Sequence, residues 1–71
     1  SMNEKQKKLE IHSLNKKLKV LKKELILFEN NLSFFKDKSK ENKLLDNSRK
    51  EIENNKKEIE MIIYQKSILN K

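Results

Sequence analysis

The apolar residues Ile11, Leu14, Leu18, Leu21, Leu25, Phe28, Leu32 and Phe35 alternate spacings of three and four without a break. On a helix with about 3.6 residues per turn, that alternation draws one apolar stripe, the a/d seam of a heptad repeat. A stripe of this length needs a second helix to cover it. Position a falls on Ile11, Leu18, Leu25 and Leu32, and d on Leu14, Leu21, Phe28 and Phe35. A second seam has Leu45, Ile52, Ile59 and Lys66 at a′ and Ser48, Asn55, Ile62 and Leu69 at d′. Extending the first register by heptads would put a at position 46, not 45. The two registers are out of phase, as two helices separated by a turn would be.

Between the seams, residues 36–43 are wholly polar, and Asp37, Ser39 and Asn42 each suit a helix N-cap. Folding the chain back inside that stretch aligns the seams layer by layer. Phe35 then faces Leu45, Leu32 faces Ser48, Phe28 faces Ile52 and Leu25 faces Asn55. In the same register Leu21 faces Ile59, Leu18 faces Ile62, Leu14 faces Lys66 and Ile11 faces Leu69. Every a meets a d′ and every d meets an a′, the layering of an antiparallel pair. The expected fold is all-α, an antiparallel two-helix coiled-coil hairpin self-associating into a helical bundle. Residues 3–36 would form the first helix, 37–43 a polar turn and 44–70 the second helix. The chain contains neither Gly nor Pro, so one long continuous helix in an oligomeric coiled coil stays open as the alternative.

Composition removes several function classes. Without cysteine there is no disulfide framework, thiol nucleophile or thiolate metal site. The longest apolar run, Leu25-Ile26-Leu27-Phe28, is far short of the ~20 residues that span a bilayer. The segment Asn3-Glu4-Lys5-Gln6-Lys7-Lys8 leads into no signal-peptide core. Ser1-Met2 reads as a cleavage remnant or start, so the chain is expected to be a single module, open to being a piece of a larger protein. An intracellular, cytoplasmic location is the expectation. The net charge of +7 permits acidic partners.

The candidate sites divide between charge and apolar surface. Lys16, Lys17, Lys19, Lys22 and Lys23 are the densest basic cluster and the candidate phosphate contacts. A solvated helix face explains them as well, because Arg49 is the single arginine and no aromatic residue interleaves with the cluster. His12 lacks partners at ligand spacing, and Ser13, Ser33, Ser39, Ser48 and Ser67 lack a His/Asp constellation. Glu51, Glu53, Glu58 and Glu60 fit a charged helix face with nearby lysines. No catalytic, cofactor-binding or metal residue is assigned and no cofactor is expected. Asn55, opposite Leu25, is a candidate for fixing register. Val20, Leu27 and Phe34 recur every seven residues off the seam, and Met61, Tyr64 and Ile68 form a shorter stripe on the second helix. These six are the candidate association stripe.

The segments Phe28-Glu29-Asn30-Asn31-Leu32-Ser33-Phe34-Phe35, Lys38-Ser39-Lys40, Lys50-Glu51-Ile52-Glu53 and Lys57-Glu58-Ile59-Glu60 carry a resemblance. The chain resembles, over about residues 20–62, the C-terminal coiled coil of uncharacterised bacterial proteins with tandem helical repeats, a domain of unknown function. A Gly usual before the paired Phe is Ser33 here. The resemblance implies a helical hairpin and no activity. A fainter likeness, to the helical tRNA-binding arms of some aminoacyl-tRNA synthetases, lacks their turn motif. The expected function is therefore a non-catalytic coiled-coil interaction or oligomerisation module, partnered by its own copies or another helical protein. The alternative is a basic helical arm binding RNA or DNA through phosphates.

Overall fold

A computed structural model describes the backbone of residues 2–38 and 42–71 and the side chains of residues 2–34 and 45–71. Two helices account for nearly all of it: α1, Glu4–Lys38, and α2, Asn42–Leu69. The described residues contain no strand.

The N-terminus of α1 is closed by a reciprocal pair. The Gln6 backbone N–H donates to Asn3 Oδ1 at 2.9 Å, and the Asn3 N–H donates to Gln6 Oε1 at 3.0 Å. This capping box satisfies two donors that a helix start leaves without intrahelical partners. Glu4 in the first turn of α1 and Lys66 in the last turn of α2 both complement the helix dipole. At the C-terminus the Ser67 hydroxyl donates to the Tyr64 carbonyl at 2.6 Å, and the Asn70 N–H donates to the Lys66 carbonyl at 3.0 Å.

The helices run closer to each other than the polar stretch suggested. Asp37 lies inside α1 and Asn42 is the first residue of α2. Lysine and glutamate are good helix formers, and without Gly or Pro the helix outlasts its seam. Of the three N-cap candidates, Ser39 lies outside the described residues, as do the side chains of Asp37, Asn42 and the seam residue Phe35.

Dimensions decide between hairpin and continuous rod. The 35 residues of α1 rise about 52 Å, and the molecule measures 54 × 15 × 13 Å. A single helix of the whole chain would extend about 105 Å. The chain is an antiparallel hairpin, one helix long and two helices wide. Its radius of gyration is 16.3 Å, against about 11 Å for a compact domain of this length.

Burial follows the seam. Leu14, Ile52, Ile62, Ser48 and Asn55 are buried, and Ile11, Leu18, Leu21, Leu25, Phe28, Leu32, Leu45, Ile59, Lys66 and Leu69 are half-buried. The one further described residue that is not exposed is Lys7, one heptad before Leu14 at the same position d. Lys66 lies in the layer of Leu14, which is only 3% exposed, consistent with a lysine stem lying along apolar surface.

Asn55 is the weak layer. It is 4% exposed, and its Oδ1 is buried with no hydrogen-bond partner among the described residues. A buried acceptor left without a donor costs about 1–3 kcal/mol. Replacing Asn55 by Leu should therefore raise stability by about that amount, which is a rise of several degrees in Tm. Thermal melts followed by circular dichroism at fixed concentration test this, and a lower midpoint in N55L would mean that the carboxamide is held by a donor.

Candidate interaction surface

A hairpin has two long flanks. In helical order around each axis, positions g and c follow d on one side, while e and b follow a on the other. Antiparallel packing places the g and c rows of both helices on the same flank. The structure shows this directly in a groove of about 610 Å³ at mid-length. It is lined by Leu14, Leu21 and Ile62 of the seam, by Val20 and Met61 of the c rows, and by Lys16, Lys17, Glu58 and Gln65.

The two sequence stripes thus become one surface. Val20 of α1 and Met61 of α2 share the groove although they are 55% and 61% exposed. Leu27 and Phe34 continue the stripe from Val20 at heptad spacing, and Ile68 continues it from Met61. All three are exposed. Tyr64 stands apart at position f′, on the outer edge of α2, and is exposed as well. Pattern reasoning found each stripe but not their union, which depends on the antiparallel direction. Leu9, Ile26 and Ile63 are also exposed and were not singled out in the sequence. They occupy positions f, b and e′, scattered away from the groove, and isolated apolar residues on a surface are ordinary.

The basic cluster is divided by the fold. Lys16 and Lys17 line the groove. Lys19 and Lys22, at b and e, belong to the opposite flank, and Lys23 is at the outer edge of α1. All five side chains are exposed. Even so, Lys16, Lys19 and Lys23, at the adjoining positions f, b and f, lie within about 60° of arc, so three of the five share one outward stripe of α1 with Lys17 and Lys22 to either side of it.

The remaining candidates are placed simply. His12 is exposed, and no group of three or more His, Asp or Glu among the described residues is arranged to hold a metal ion. Ser13, Ser33 and Ser67 are exposed and Ser48 is buried, while Ser39 lies outside the described residues. Glu51, Glu53, Glu58 and Glu60 are exposed. Glu53 pairs with Lys57 at 3.4 Å one turn on, and Arg49 approaches Asp46 at 4.0 Å. Exposed pairs like these contribute under ~1 kcal/mol. No described helix is long and apolar enough to cross a membrane.

Comparisons with protein-family models, with curated proteins and with solved structures find no match.

The divided cluster has a measurable consequence. Binding to a short labelled duplex, followed by fluorescence anisotropy, should be sequence-blind and steep in salt. With about three lysine–phosphate contacts, affinity should fall roughly 40-fold between 50 and 200 mM salt. Binding that survives the higher salt and discriminates between sequences would require a concerted lysine surface.

Proposed function

We propose that this chain is a non-catalytic helical interaction module that works by covering its Val20–Met61 flank with another helical surface. The observation that carries this is exposed area. The hairpin leaves 6059 Å² accessible, whereas a compact folded chain of 8.6 kDa exposes about 4,700 Å². The difference, about 1,400 Å², exceeds the ~800 Å² that one partner contributes to a standard interface. None of the described side chains is fully buried, so the seam alone gives this protein a thin core.

The flank suits helix packing. Its exposed apolar residues recur at heptad spacing, as they would to meet a neighbouring helix running nearly parallel or antiparallel.

The two methionines provide a built-in test. Met61 is 61% exposed and Met2 44% exposed in the lone hairpin. Hydroxyl-radical footprinting of dilute purified protein should therefore oxidise Met61 at least as fast as Met2. In cells that naturally express the protein, Met61 should be protected several-fold relative to Met2. Equal oxidation of the two in those cells would show a bare flank and remove the proposed function.

A further inference from the structure

Resting on that reading, we infer that the surface covering the flank is a second copy of this chain, joined about a two-fold axis that crosses the hairpin perpendicular to its helices at Val20 and Met61. Three independent features lead there.

The first is area. The face that the hairpin presents is 54 × 15 Å, about 800 Å², which matches one partner's share of a standard interface. A smaller ligand would leave most of the stripe from Ile68 to Leu27 in water.

The second is position. The midpoint of α1, Glu4–Lys38, is residue 21, and the groove lies at that level. An axis through the groove overlaps the two hairpins along their full length. It sets α1 against α1 and α2 against α2, so every adjacent pair of helices is antiparallel, as in a four-helix bundle. Closed two-fold pairing requires one patch to complement itself. Here Val20 meets Val20 of the other copy and Met61 meets Met61, giving a wholly apolar central layer. One heptad outward, Leu27 meets Ser13 of the other copy and Ile68 meets Asn54, each large residue against a small or polar one.

The third is charge, and it chooses between the two possible axes. By register Lys17 lies beside Gln65, and Glu24 beside Glu58, on this flank. An axis parallel to the helices would place Glu24 of one copy over Glu58 of the other, gathering four carboxylates at the centre. The perpendicular axis instead puts Lys17 against Glu24 of the other copy, twice, and Gln65 against Glu58, twice. Opposite charges thus meet where the parallel arrangement would bring like charges together, and such juxtaposition sets orientation.

The chain has no cysteine, so single-cysteine variants report the geometry cleanly. V20C and M61C should each form a covalent dimer alone with a short bifunctional thiol reagent. L27C should not do so alone, but should join S13C when the two are mixed. Sedimentation equilibrium should give a dimer for the parent chain. K17E should weaken it tenfold or more, and the K17E/E24K exchange should restore it. Because Val20, Lys17, Glu24, Leu27 and Met61 are off the seam, unchanged helicity by circular dichroism serves as the folding control. Efficient joining of V20C to M61C in mixtures, with neither reacting alone, would overturn the perpendicular axis. A monomer at the highest soluble concentration would overturn self-association. Protection of Met61 in cells would then still stand, and would point to a different helical partner.

Discussion

Two helices can press together along only one strip, and that limit governs this protein. Every described residue that is buried or half-buried lies at an a or d position of one helix or the other. A helix in a larger domain buries two or three sides against different neighbours. Here each helix has one neighbour, so the seam is the whole of the internal core. Even within it, Leu14, Ile52 and Ile62 are the only buried apolar residues among those described. The elongated shape, the large accessible area and the apolar residues left outside all descend from that geometry.

The composition of the seam refines the picture. The d′ row of α2 begins with Ser48 and Asn55 and continues with Ile62 and Leu69. The two polar members are buried all the same, because the backbone register leaves them no other place once Ile52 and Ile59 are packed. A seam that spends positions on a short hydroxyl and an unpartnered carboxamide gains less from burial than an all-leucine one. A thin seam and an exposed apolar flank are therefore two sides of one geometry.

The basic cluster looks different once it is wound onto a helix. The run from Lys16 to Lys23 looks like a single basic feature in one dimension. Wrapped at about 100° per residue, it spreads over both flanks and one outer edge. Lys16 and Lys17 then line a groove together with Glu58 and Gln65 of α2.

Much of this was legible in the residues. The unbroken three-four spacing of the first seam, and the same spacing interrupted by Ser48, Asn55 and Lys66 in the second, identify both helices and their inward faces, because helical periodicity is local. The phase slip between position 45 and the expected 46, with the layer-by-layer match of the two seams, also marked the fold-back. The capping partners Asn3 and Gln6 stand three apart in the sequence and needed only to be noticed. What the tertiary structure decided was the reversal itself and the union of the stripes. No Gly or Pro compels a turn, so hairpin and continuous rod differ by where the same seam finds its complement, a property of the whole chain and of no single residue. Likewise, Val20 and Met61 are 41 positions apart, and nothing local relates them. They share a surface because antiparallel packing of two right-handed helices brings the g and c rows of both to one side.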